Sequence, residues 1–236
     1  MALVDNLIAY YKLADLTDEE GNTYPLTNTG TCTFTTGYSG DAVSFPSGTN
    51  KFLGRTDTLG ITSTGAWSVR MLVKTASETT VDREIFQLYR PGAGAGVVYR
   101  GLYEYNGGSR RVRFFRIGTG FTALDNSGNI ANNAWHQIVY TYDGTNQTLY
   151  LDAEAAVTDA NTGMADAGAT LMNLGGGATN TSLDGLMDEV AFWDREITST
   201  EVSDLWASGT PLDYAGLSGG GGGSPTPTRM LMGIGS

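Results

Sequence analysis

Residues 67–74 read WSVRMLVK, and their side chains alternate in character. Trp67, Val69, Met71 and Val73 fall at every second position, with Ser68, Arg70, Leu72 and Lys74 between them. A period of two puts the first set on one face of a strand, and that face must cover a core. Strand-like stretches recur at short spacing along the chain, separated by clusters of Gly, Asn, Asp and Ser. The pattern predicts an antiparallel sandwich or barrel. REIFQLYR (83–90) shows a weaker alternation, pairing Ile85 with Gln87 and Phe86 with Leu88.

The clearest hairpin is NAWHQIVYTYDGTNQTLYLDAEAA (133–156), in which two strands flank Asp143-Gly144-Thr145-Asn146. Gly144 and Asn146 are expected to supply the positive φ angles of a tight turn. The first strand is apolar at both parities, with Trp135 and Val139 on one side and Ile138, Tyr140 and Tyr142 on the other. A strand of this kind is covered on both faces and is predicted to be central. One helix is predicted, TSTEVSDLWASG (198–209). Thr198 and Glu201 have capping-box spacing, Val202, Leu205 and Trp206 share one face, and Gly209 is placed to stop the helix.

A length of 236 residues suits one large β domain that needs neither disulfide nor metal merely to fold. The single cysteine, Cys32, excludes an intrachain disulfide. Fourteen Lys plus Arg against 25 Asp plus Glu give a net charge of −11, which argues against nucleic acid and anionic membranes as general partners. One basic strand, GSRRVRFFRIG (108–118), runs against this balance and is expected to pair with acidic neighbours. MALVDNLIAYYKL has no basic n-region and no small-residue cleavage site, and so reads as a mature start made in a cytoplasm. No apolar run approaches the roughly 18 residues of a membrane span.

The order of motifs resembles the laminin-G-like, concanavalin A-like jelly-roll family. LIAYYKLADLTDEEGN (7–22) is similar to the family's opening, and GDAVSFPSGTNKFL (40–53) to its next block. AWSVRMLVK, AWHQIVYTYDGTNQTLYLD and LDGLMDEVAFWDREITSTEVSDLW (183–206) then follow in family order. The likeness covers about residues 5–210. It implies an all-β, two-sheet antiparallel jelly roll that binds glycans or proteins, with a structural calcium ion between the N-terminal loop and the Asp-Glu strand. Carried over by position, Asp18, Asn22 and Asp188 would hold the Ca2+. TDEEGN and Pro46 depart from the family's pattern at this site. The same carboxylates are equally compatible with capping backbone groups at a sheet edge.

Hydrolases on related jelly rolls place paired carboxylates on one face of one strand. Here Asp188 and Glu189 are adjacent and are expected on opposite faces, while Asp194 and Glu196 lie at or beyond the strand end. The lone His136 is expected to be a packed core residue. One His and one Cys assemble neither a triad nor a zinc set, so the chain reads as a non-enzyme. A sugar site would need exposed aromatics beside amides. Tyr99, Tyr103 and Tyr105 share a strand face near Asn106, and Trp193 is a further candidate; ordinary sandwich packing is the competing reading for all of them.

The domain is expected to occupy 1–217. Beyond it, 218–236 form a Gly/Pro linker and an apolar end in which Met230, Leu231, Met232 and Ile234 could dock into a partner's groove. An engineered scar and a roleless end are the other readings. A glycan-binding jelly roll with a tethered hook suits an accessory structural protein of a phage or virus particle, a decoration or fibre component. Its expected partners are a capsid or other particle protein, a host-surface glycan and, as a further option, a second copy of the chain. The rival expectation is a carbohydrate-binding or adhesion module of a bacterial cell-surface or secreted protein.

Overall fold

The computed structural model describes residues 2–218 apart from 22, 63, 77–80, 91–95, 107–108, 118–120, 127, 161–168 and 178–180. The strands, in chain order, are β1 (Leu7–Tyr11), β2 (Thr27–Thr29), β3 (Thr33–Thr36), β4 (Asp41–Phe45), β5 (Phe52–Arg55), β6 (Trp67–Lys74), β7 (Arg83–Arg90) and β8 (Gly96–Asn106). They continue with β9 (Ser109–Ile117), β10 (Phe121–Asn126), β11 (Trp135–Tyr142), β12 (Asn146–Leu151), β13 (Glu154–Ala160), β14 (Leu171–Leu174) and β15 (Gly185–Trp193). Two short helices follow, α1 (Ser199–Trp206) and α2 (Tyr214–Ser218).

The first sheet has the order β13-β12-β11-β6-β15-β4-β3, with β1 also paired to β15, and the second runs β10-β9-β8-β7-β14-β5-β2. All named pairs are antiparallel, and the two sheets form the jelly-roll sandwich that the alternation predicts. β11 lies between β6 and β12, as its two apolar faces require. One edge of β15 is shared: Gly185–Met187 pair with β4, and Val190–Trp193 pair with β1. At the changeover the register of β15 against β6 slips between Asp188 and Ala191, where Glu189 has φ 51°. This is a β-bulge, and it re-aims the side chains on either side of it.

Between the sheets Trp67 packs against Phe86, Tyr99 and Tyr140, and Phe114 stacks on both Phe86 and Tyr140. Aromatic rings of this size dominate the area buried in such a core. A second apolar cluster lies on the outer face of the first sheet, where α1 lays Val202 and Leu205 over Tyr10, Val139, Ala191 and Trp193. The predicted capping box of α1 is present in full. The helix stops earlier than Gly209 suggests, because Ala207 already adopts the left-handed conformation, followed by Ser208 and Gly209. In the β11–β12 turn only Gly144 has positive φ; Asn146 instead opens β12, and the Asp143 carboxylate accepts from the Thr145 and Asn146 N–H groups. The basic strand β9 pairs with acidic neighbours as expected, Arg111 and Arg113 each bridging Glu104 and Asp125. Among the described residues no helix is long and apolar enough to cross a membrane.

Candidate functional site

The β3–β4 turn and the α1–α2 connection face each other across an open cleft of about 750 Å³. Tyr38 and Ser39 line one wall, and Ser208, Thr210, Pro211 and Asp213 line the other. Three consecutive left-handed residues, Ala207, Ser208 and Gly209, shape the second wall. Two of them carry a Cβ, and non-glycine residues held in this conformation are enriched at ligand sites. Ser39 Oγ donates to Asp213 Oδ2 at 3.1 Å and ties the two walls together. The half-buried Tyr38 ring meets the edge of Trp135 with centroids 6.2 Å apart, and Lys74 Nζ lies 6.0 Å from the Trp135 centroid.

The Asp188–Glu189 bulge sets the first wall. Asp188 Oδ2 accepts from the backbone N–H groups of Tyr38 (2.7 Å) and Ser39 (3.2 Å), and Oδ1 accepts from the Glu189 N–H at 2.9 Å. Gly37 permits this approach, because a Cβ there would stand 2.6 Å from Asp188 Oδ2. Glu189 accepts from the Tyr10 hydroxyl, and Arg70 Nη1 donates to the Glu189 carbonyl at 3.2 Å. Arg70 Nε donates to Gln137 Oε1, whose amide reaches the Val202 carbonyl of α1. Arg70 Nη2 and Glu189 Oε1 have no hydrogen-bond partner among the described residues.

Burial pushes the Asp188 carboxyl up to about 6, against the pull of its three backbone donors. Burial likewise pushes Glu189 up to about 7, opposed by the Tyr10 hydroxyl and reinforced by the Asp188 charge. The Tyr10 phenol is raised by the same desolvation.

These positions correct one premise of the sequence reading. Asp188 and Glu189 do not point to opposite faces. Met187 and Val190 both enter the inter-sheet core, and the inserted Glu189 joins Asp188 on the outer side. The two carboxylates are nonetheless committed to the Tyr38–Ser39 turn and to Tyr10. No signal in MDEVAFW announces the bulge, because Glu is an uncommon residue at positive φ.

The expected metal ligands are not brought into one described cluster. Asp188 offers no free oxygen, since the N–H dipoles facing it occupy the directions a cation would take, and it caps backbone groups instead. Asp18 Oδ1 accepts from the N–H groups of Tyr10 and Glu20, both at 3.0 Å, whereas its buried Oδ2 has no partner among the described residues. Asn22 lies outside the described residues. Among those described, no group of three His, Cys, Asp or Glu side chains could hold a metal. Of the expected ligand oxygens among the described residues, Oδ2 of Asp18 is the one left without a partner.

The expected aromatic platform is corrected as well. Tyr99 and Tyr103 are buried core rings, so neither presents a face to a sugar. Trp193 is fully buried beneath α1 and donates its indole N–H to the Leu3 carbonyl at 2.7 Å. Tyr105 is half-buried at the β8 end with the Arg110 guanidinium 5.5 Å from its centroid, and the side chain of Asn106 lies outside the described residues. His136 sits at the rim and not in the core, its ring nitrogens bonded to Asp152 (2.6 Å) and Asn132 (2.9 Å). Met230, Leu231, Met232 and Ile234 lie outside the described residues. The cleft residues Tyr38, Ser39 and Asp213 escaped the sequence reading, since a lone Tyr-Ser in a Gly-rich turn carries no distinctive spacing.

No curated relative matches the chain by sequence. Among solved structures it is similar to domain 4 of AbnA, an extracellular arabinanase from Geobacillus stearothermophilus solved with arabinotriose. The TM-score is 0.67 at 21% identity, over 85% of this chain and 98% of that one. It also resembles the binding domain of Paraclostridial Mosquitocidal Protein 1 (TM-score 0.65, 14% identity, 87% of this chain and 53% of that one). The binding domain of botulinum neurotoxin DC, solved in complex with SialylT, is another (TM-score 0.67, 12% identity, 88% and 52%). The chain thus spans about half the length of these toxin binding domains. At these identities the likeness establishes a shared sandwich fold. The laminin-G family described as the concanavalin A-like lectin/glucanases superfamily matches residues 35–203, most of the chain, and the protein belongs to that family.

Proposed function

We propose that the protein is a non-catalytic carbohydrate-binding module whose ligand seats in the cleft between Tyr38 and Asp213. The observation that carries this reading is the convergence of an aromatic ring, three hydroxyls and a carboxylate on one open cleft. Sugars ask for this combination, a ring under their C–H face and polar groups for their hydroxyls. The arabinanase domain solved with arabinotriose, which the chain matches nearly end to end, supports the same class of ligand. Asp213 lines the cleft. An anionic sugar would meet like charge there, so the cleft suits neutral glycans. The bonds that Asp188 and Glu189 already make favour binding over hydrolysis.

In this reading the segment 218–236 tethers the module to a larger assembly, a phage or virus particle that displays it toward a host-surface glycan. The Gly/Pro composition of that segment and its Met-Leu-Met run support the tether. The test of the binding reading is calorimetric titration of the full chain with arabinotriose and other neutral oligosaccharides. Saturable binding that weakens about tenfold or more in Tyr38→Ala, with the fold intact by circular dichroism, is the expected result. Equal affinity in the variant would remove the cleft from the site.

A further inference from the structure

From Gly21 to Gly40 the chain carries no Asp, Glu, Lys, Arg or His, the longest such run in a protein of net charge −11. The run supplies β2 and β3, the outermost strands of the two sheets at one end of the sandwich. Among the described residues β3 pairs only with β4, and all four of its residues are exposed. Its outward N–H and C=O groups therefore form an open ladder. We propose that a second copy of the chain adds at this edge, β3 against β3, so that the first sheets of two copies join across a two-fold axis.

Edges that stay alone are guarded by charges, proline, a bulge or a cover. The opposite end of the first sheet has such guards: β13 contains Glu154 and Asp159, and the register of β12 against β13 slips between Leu149 and Leu151. In the second sheet β10 lies against β12 and β13, and β2 has only three residues. β3 has no such protection. TFTT holds no charge, Pro or Gly, and its register with β4 is unbroken. Phe34 pairs with Val43, whose side chain enters the core, so the Phe34 ring lies on the inner side of the sheet and is still 40% exposed.

Charge and parity select a second copy as the occupant. Two bodies of net charge −11 repel over most of their surfaces, and along this edge they can meet without opposing carboxylates. Asp41, opposite Thr36 on β4, is one strand further from the axis. Residues that face each other across an antiparallel ladder share a side of the sheet. Centring the axis on Phe34 satisfies this: Phe34 meets Phe34 of the second copy, and Thr33 meets its Thr35. The two rings then cover each other at the end of the core, and the threonines make favourable cross-strand pairs. A contact of this kind is isologous and closes at two copies. β3 leads through Gly37 into the Tyr38–Ser39 turn, so the dimer carries two clefts, but its formation does not depend on what they bind.

The test is sedimentation of the full chain over a concentration series at low and high salt. The expected result is a monomer–dimer equilibrium that tightens from about 0.05 M to about 0.5 M salt, because screening weakens the repulsion of two acidic bodies and leaves an uncharged interface untouched. Phe34→Glu sets two carboxylates face to face and should weaken dimerisation about tenfold or more, with the circular dichroism spectrum unchanged. Should Phe34→Glu not fold, the double variant Thr33→Glu/Thr35→Glu alters only exposed side chains, puts Glu opposite Glu and should have the same effect. A monomer at all concentrations up to about 1 mM would overturn the proposal. So would a dimer indifferent to these variants, a dimer that salt dissociates, or an assembly larger than two.

Discussion

At the scale of single residues the site depends on Glu189 and its positive φ. The extra residue turns two successive carboxylates outward, one to pin the Tyr38–Ser39 turn and one to meet Tyr10. Because burial raises both groups above their ordinary values, the native chain holds more protons here than the unfolded chain between about pH 4 and pH 7. Their contribution to stability is therefore full below the unfolded carboxylate range and is lost as pH rises through about 6 to 7. Glu189→Gln removes the titration and keeps an acceptor for Tyr10. Its melting temperature should fall less between those pH values than that of the wild type, and an identical fall would show that Glu189 does not titrate there. Asp188→Ala leaves three backbone N–H groups without their acceptor and should cost on the order of 3 kcal/mol in urea denaturation. With Asp188 already satisfied by the backbone, chelator should leave the melting temperature of the wild type unchanged; a drop would bring calcium back at Asp18. Of these residue-level features, the chemistry of MDEV was visible in the sequence and its geometry was not. A bulge without glycine is specified by the pairing of β15 with two different neighbours, and that is a tertiary fact.

At the scale of elements, much more was legible. The period of two in WSVRMLVK marked the apolar face that β6 turns to the core, although its other face proves buried too, and the doubly apolar WHQIVYTY marked the inner strand β11 beside it. The Thr198–Glu201 spacing gave α1 its start. Its end was misread, since Ala207 reaches the left-handed region before the glycine. α2 carries too little periodicity in five residues to be seen, although Tyr214 packs on Tyr10 at 4.9 Å. The cap predicts a measurable cost: Thr198→Ala should lower stability by about 1 kcal/mol. In a domain of this size that is a drop in melting temperature of about 2–4 °C. A larger loss would mean that α1 holds the Gln137–Arg70 network in place through the Val202 carbonyl as well as covering the second apolar cluster.

At the scale of the whole molecule, the sandwich supplies a rigid frame and the loops at its margins supply the candidate sugar cleft. Rigid scaffolds with functional loops are the common division of labour. Two of the rings that looked available in VVYRGLYEYN, Tyr99 and Tyr103, went to the core instead, because alternation tells which residues share a face and not whether that face is covered. The tail reading is tested by co-sedimentation of the full chain and of a version ending at Leu217 with particles from its source; only the full chain should travel with them. The central claim, a cleft for neutral glycans, is tested most directly by displaying the full chain on an array that holds neutral and sialylated glycans side by side. Retention on neutral glycans, abolished by Tyr38→Ala, is the predicted outcome. Retention on sialylated glycans alone, or on none, would contradict it.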